Sequence, residues 1–140
     1  QEAYEWCKED DYSFAMDKVT YYKNVGTHGI TGILNEDYDC YILDFGTDFI
    51  ASKEDFMRCG TKIIIGNHGI WNMSKTISFI KSIESIIGNK NWLYMIPCAD
   101  RRTILRMTNK TNRCFYEVPF ELDPTILSKK TVGLFQKLFY

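Results

Sequence analysis

At 140 residues the chain is long enough for one domain, and a chain of this size buries roughly two-thirds of its unfolded surface, enough for a core without staples. Its 17 basic and 18 acidic residues leave a net charge of -1, which argues against the basic face that nucleic-acid binding needs. No apolar run approaches a membrane span, and 45% hydrophobic with 25% charged residues is an ordinary globular composition.

In chain order, residues 1–11 are rich in acid (Glu2, Glu5, Glu9, Asp10, Asp11) and read as a short solvated helix. Val19-Thr20-Tyr21-Tyr22-Lys23 is β-branched and aromatic, and reads as an edge strand. Ile30, Ile33 and Leu34 have helical spacing, weakened by Gly32. Tyr41-Ile42-Leu43 is a continuous apolar run that predicts a central parallel strand buried on both faces and ended by Asp44. A helix over 51–57 follows, with Ser52 as its cap. Residues 62–66 form the next apolar strand. Ser74 opens a helix whose stripe is Ile77, Ile80, Ile83 and Ile87, closed by Gly88. Residues 92–96 give a strand stopped by Pro97, and Asp100 caps a helix reaching about Met107. Residues 114–118 give a strand stopped by Pro119. Asp123-Pro124 then opens a last helix that buries Leu127, Leu134 and Leu138. Alternating strand and helix predict one α/β domain over 1–140, with a mostly parallel sheet flanked by helices in three layers.

Five cysteines (Cys7, Cys40, Cys59, Cys98, Cys114) make no C-x-x-C pair, and His28 and His68 add no ligand spacing. They read as small buried hydrophobes in a reducing, cytoplasmic compartment. In open parallel sheets, ligands bind beyond the carboxyl ends of the strands. Those ends carry Asp44 with Gly46, Gly66 with Asn67, Pro97 to Asp100, and Pro119 to Asp123. His68 reads as a loop histidine and Trp71 as packing at a helix start; Arg101 and Arg102 are candidate contacts for phosphate or an acidic partner.

Tyr38-Asp39, then Ile42-Leu43-Asp44-Phe45-Gly46, resembles the Walker B and switch region of the MinD/ParA/CpaE-like P-loop ATPases. Residues 62–66 resemble the family strand that follows. Val118-Pro119-Phe120-Glu121-Leu122-Asp123-Pro124 resembles its late Ile-Pro-x-Asp loop. The resemblance covers most of the chain from Tyr38 onward. It implies a P-loop NTPase or Rossmann-like fold, with ATP and magnesium as ligands. Asp44 would stand on the metal side, Gly46 near the terminal phosphate, and Pro119 and Asp123 near the adenine. It implies no catalytic residue in this chain.

Two departures stand beside it. No glycine-rich loop with Lys and Ser or Thr occurs, so the backbone cradle for phosphates is missing. Pro97 and Cys98 occupy the strand end where the family often has an adenine-reading Asn. The chain begins with Gln1, and the reading is either the later part of a longer protein or a relative that lost the loop. The expectation is an ATPase-like fold that is inactive or incomplete as an ATPase. The alternative is a non-catalytic interaction module on the same fold, with a protein partner or a second copy. A receiver-like domain with Asp44 as phosphoacceptor ranks below both, because Asp10-Asp11 follows no apolar strand. A hydrolase lacks a nucleophile elbow.

Overall fold

The computed structural model describes residues 12–123 and 126–139, so the expected helix over 1–11, Cys7, Asp10-Asp11 and Pro124 lie outside the described residues. Two compact units form, Gln1–Phe56 and Met57–Tyr140.

The first unit opens with a hairpin, β1 (Ser13–Met16) antiparallel to β2 (Val19–Tyr22). Asp17 and Lys18 between them both have positive φ, 49° and 66°. That pair of left-handed residues lets a two-residue loop follow the twist of the strands. Across the register, Phe14 stacks on Tyr21 with ring centroids 4.8 Å apart. Helix α1 (Thr27–Ile33) covers the helical spacing read there. Helix α2 (Phe49–Arg58) begins before the expected start because Asp48, not Ser52, caps it: Asp48 Oδ1 accepts from Ala51 N at 3.1 Å. Phe56 is buried, with Phe45 and Phe49 set edge-on against it at 5.9 and 5.5 Å.

Tyr41-Ile42-Leu43 is not a strand, which corrects the central-strand reading. Ile42 is 92% exposed, whereas burial on both faces was expected. Tyr41, Leu43 and Phe45 are half-buried while Ile42, Asp44 and Gly46 are exposed, the alternation of an extended segment. An apolar run becomes a strand only beside a sheet edge, and none pairs with it among the described residues. Instead Tyr41, with Tyr38 before it and Tyr22 of β2, anchors on Glu36. The hydroxyls of Tyr22 and Tyr38 both donate to Glu36 Oε2 at 2.9 Å, and the Tyr41 hydroxyl donates to the Glu36 carbonyl. The Tyr22 phenol is pushed well up by its hydrogen bonds to Tyr38 and to the Glu36 carboxylate.

The second unit is a parallel sheet with helices, so the fold is mixed α/β. Strands β3 (Ile63–Ile65), β4 (Leu93–Pro97) and β5 (Phe115–Val118) lie in that order, all parallel. Helix α3 (Ile70–Ser82) connects β3 to β4, and α4 (Arg101–Thr111) connects β4 to β5. Two right-handed crossovers in one direction put both helices on one face, and α3 packs on α4 there. Gly66 belongs to that face, where an added Cβ would meet the Thr76 side chain of α3 at 3.0 Å. Tyr94, Met95 and Ile96 of β4 are all buried. Helix α5 (Lys129–Phe139) lies against the opposite face at β5, where Lys137 Nζ sits 5.4 Å over the Tyr116 ring.

Helix α3 starts at Ile70, with Gly69 at its N-cap, rather than at Ser74, and ends at Ser82, short of the expected Ile87. Ile83 is 1% exposed and closes the stripe; Ile87 is 95% exposed and lies outside it. Gly88, with φ +82°, does not cap α3 but turns the chain into the short 3-10 helix Asn89–Asn91. Helix α5 begins at Lys129, beyond the Asp123-Pro124 signal, which leaves Leu127 before the helix and 48% exposed. No helix among the described residues is long and apolar enough to cross a membrane.

Candidate functional site

The first candidate element is the turn at Asp44, in the first unit. Asp44 Oδ1 accepts from Gly46 N at 2.8 Å, and Gly46 has φ +60°. A short carboxylate closing its own turn two residues on, with glycine taking the left-handed position, is turn chemistry written in the sequence. It brings Asp44 and Gly46 together and leaves Oδ2 outside that bond. Among the described residues, no group of three or more His, Cys, Asp or Glu could hold a metal ion. One carboxylate does not make a magnesium site, so a cation at Asp44 would need phosphate oxygens and water for the rest of its shell.

The second element is the carboxyl edge of β3–β4–β5 in the second unit. Because the strands are parallel, their following loops all emerge there. After β3, Asn67 Oδ1 accepts from Gly69 N at 2.9 Å and sets the entry to α3. His68 Nδ1 lies 3.1 Å from the Pro97 carbonyl, which joins the first loop to the end of β4. A carbonyl oxygen only accepts, so Nδ1–H is the donor of this bond. After β4, Cys98 is exposed and adopts φ +55°, unusual for a residue with a side chain. Its N–H donates to the Val118 carbonyl at 2.9 Å. The chain then reaches Asp100, whose side chain accepts from Thr103 N at 2.8 Å and caps α4 as the sequence predicts. The hydrogen bonds from Thr103 hold the Asp100 carboxyl below its usual range, and Arg102 and Arg106 add to this. Arg101 and Arg102 are exposed in the first turn of α4.

After β5, Pro119 is half-buried and Asp123 exposed, with the Asp123 carbonyl accepting from Ile126 N at 3.1 Å. Between them stands Glu121, which sequence reasoning passed over. Its carboxylate accepts from Ser128 N at 3.1 Å and from the Thr131 hydroxyl. Ser128 Oγ in turn accepts from Thr131 N at 3.3 Å. This is a capping box closed from outside the helix, since a residue upstream takes the N–H that a glutamate in the first turn usually takes. Thr131 is buried in consequence. The bonds from Ser128 and Thr131 hold the Glu121 carboxyl below its ordinary range. The contribution is therefore complete above the ordinary glutamate value of about 4.3 and is lost as pH falls through the depressed value. The Ser128 amide resonance is expected to titrate with a midpoint below that of a free glutamate, and Glu121→Gln abolishes the titration. A midpoint at or above the ordinary value contradicts the assignment.

The turn elements Asp44–Gly46 and Pro119–Asp123 belong to different units. Comparison of the chain with family models, with curated proteins and with solved structures gives no match.

Two other expectations are corrected. Trp71 is 86% exposed and does not pack the start of α3. Cys40, Cys98 and Cys114 are exposed rather than buried, and Cys59 is half-buried. Cys98 and Cys114 flank strands instead of lying within them, so neither takes a core position. Sequence reasoning also missed Asn89 and Arg113, both 4% exposed, for which no local pattern gives a signal.

Proposed function

We propose that the chain is a nucleotide-binding-type protein of the MinD/ParA/CpaE-like kind, incomplete as an ATPase by itself. The observation that supports this is the parallel β3–α3–β4–α4–β5 order, in which two of the resembling stretches, residues 62–66 and Val118 to Asp123, fall at β3 and after β5. In this reading the sheet belongs to a three-layer Rossmann-like domain working in the cytoplasm. Asp44 faces the magnesium side, Gly46 the terminal phosphate, and Pro119 and Asp123 the adenine. The chain's own residues supply turns and carboxylates at these places and no phosphate cradle. A fluorescent ATP analogue with Mg²⁺ is therefore expected to bind weakly and to turn over no faster than in buffer. Tight binding with turnover by residues 1–140 overturns the reading.

A second reading, a non-catalytic interaction module, is favoured by one observation. The loops and helix start at the same edge expose Trp71 (86%), Phe120 (69%), Leu122 (93%) and Ile126 (71%). Apolar exposure of this kind marks contact surfaces more than phosphate sites. Under this reading Asp44→Ala leaves partner binding as it is, while Phe120→Ser weakens it. A specific loss of nucleotide response in Asp44→Ala decides for the first reading.

A further inference from the structure

The starts of β3 and β4 border a cleft of about 430 Å³, at the amino edge of the sheet, opposite the loops of its carboxyl edge. Every residue that lines it belongs to the second unit. Small-molecule sites span roughly 300–1,000 Å³, so the cleft suits a compact ligand. Lys62 and Leu93 line it side by side, joined by Leu93 N, which donates to the Lys62 carbonyl at 2.9 Å. Met57, Ile87, Trp92 and Leu138 complete its apolar lining. Trp92 is 8% exposed, whereas Ile87 is 95% exposed. An isoleucine standing in water beside a cleft gains by being covered with an apolar group.

Lys62 is the one charged residue of the lining. It is half-buried, and its ammonium donates to the Cys59 carbonyl. That neutral acceptor leaves Nζ further protons to give, and among the described residues no carboxylate pairs with it. A half-buried ammonium answered only by a neutral group is stabilised by an anion placed beside it.

We propose that this cleft binds an apolar monocarboxylate, with its carboxylate on Lys62 Nζ and its hydrocarbon against Ile87, Trp92 and Leu138. One ammonium matches one negative charge. A phosphate group carries close to two charges and three acceptor oxygens, which is more than a single lysine answers. An uncharged apolar ligand covers Ile87 but leaves the ammonium without an anion. The cleft lies at the amino edge of the strands, so it is not the carboxyl-edge site of the nucleotide reading, and it does not depend on that reading.

The test is calorimetric titration of the full chain with octanoate, octanol and acetate, without nucleotide. Octanoate is expected to bind with a Kd on the order of 100 µM. Octanol, which has the tail without the charge, binds about tenfold more weakly. Acetate, which has the charge without the tail, gives no measurable heat. Lys62→Met keeps the apolar stem and removes the ammonium, so it weakens octanoate by about tenfold and leaves octanol as it was. Ile87→Asp, at a position exposed in the fold, weakens both ligands. In the unmutated chain octanoate shifts the Gly88 and Leu93 amide resonances, a readout that stands even where a variant fails to fold. No binding of octanoate up to roughly 5 mM overturns the proposal. So does octanol binding as tightly as octanoate, a Kd indifferent to Lys62→Met, or shifts confined to Gly66 and Asn67 at the other edge.

Discussion

Replacing Ile96 with Ala lowers the unfolding free energy by about 3–4 kcal/mol. Ile96 is 0% exposed and sits on β4, the middle strand of the parallel sheet. It shares the face covered by α3 with Gly66, where a Cβ would come 3.6 Å from Ile96 Cγ1. The glycine lets α3 approach closely at Thr76, so the space Ile96 fills is bounded by backbone on one side and a helix on the other. Such a site collapses poorly, and the truncation cost is the lost transfer energy plus the cavity. Ile96→Val removes one methyl group and costs about 1 kcal/mol. Urea unfolding followed by far-UV circular dichroism measures both. A loss below about 1.5 kcal/mol for the alanine would mean that this face is loosely packed.

Arg113→Ala is the second large effect, expected at about 3 kcal/mol. Arg113 is 4% exposed. Nη2 donates to Asn89 Oδ1 at 2.6 Å, and Nη1 donates to the carbonyls of Asn112 and Thr111 at 3.2 and 3.4 Å. Nε is buried with no acceptor. The guanidinium is thus held by neutral groups, two of them at the carboxyl end of α4, where the negative end of the helix dipole favours a cation. Asn89 is tied on every side. Its amide donates to the Ile86 and Glu84 carbonyls at 2.6 and 3.2 Å, and its own carbonyl accepts from the buried Tyr94 hydroxyl at 2.8 Å. Burial raises the Tyr94 phenol, and Arg113 offsets part of that rise. Removing the guanidinium leaves Asn89 Oδ1 buried without its donor, and that orphaned acceptor supplies much of the cost. Arg113→Met keeps most of the packed stem and is expected to cost less than alanine, which leaves a cavity as well as the unpaired acceptor. If methionine proved as costly as alanine, the hydrogen bonds rather than the packed stem would account for the whole effect.

Four of the five strands read from the sequence are present, and the three of the parallel sheet form because each run of apolar residues meets a neighbour. Residues 63–65, 93–97 and 115–118 pair in register, with Gly66, Cys98 and Pro119 at their exits. The start of α4 was legible because Asp100 carries its own cap in its side chain. Tyr41-Ile42-Leu43 has the same local pattern and differs only in lacking a neighbour, which no window of sequence contains. The end of α3 was hidden for a related reason. Isoleucine periodicity runs on to Ile87, but the Glu84 and Ile86 carbonyls are taken by Asn89, a residue beyond the repeat. At the candidate site, the chemistry of the Asp44–Gly46 turn spans only two residues and so lies within a window of sequence. The cap supplied by Glu121 was not, because the helix it closes begins at Lys129, later than the Asp123-Pro124 signal places it.

The turn at Asp17 and Lys18 has a consequence in time. Strands β1 and β2 meet across two residues, and hairpins of that kind close in about 1–10 µs. Each pairing in β3–β4–β5 waits until a whole helix has crossed back over the sheet, and contacts between distant residues slow folding. The first unit's hairpin should therefore mature well ahead of the parallel sheet. During that interval the isoleucine-rich strand Ile63–Ile65 lacks even its partner on the inner side, and protein concentration then decides whether it finds β4 or another chain.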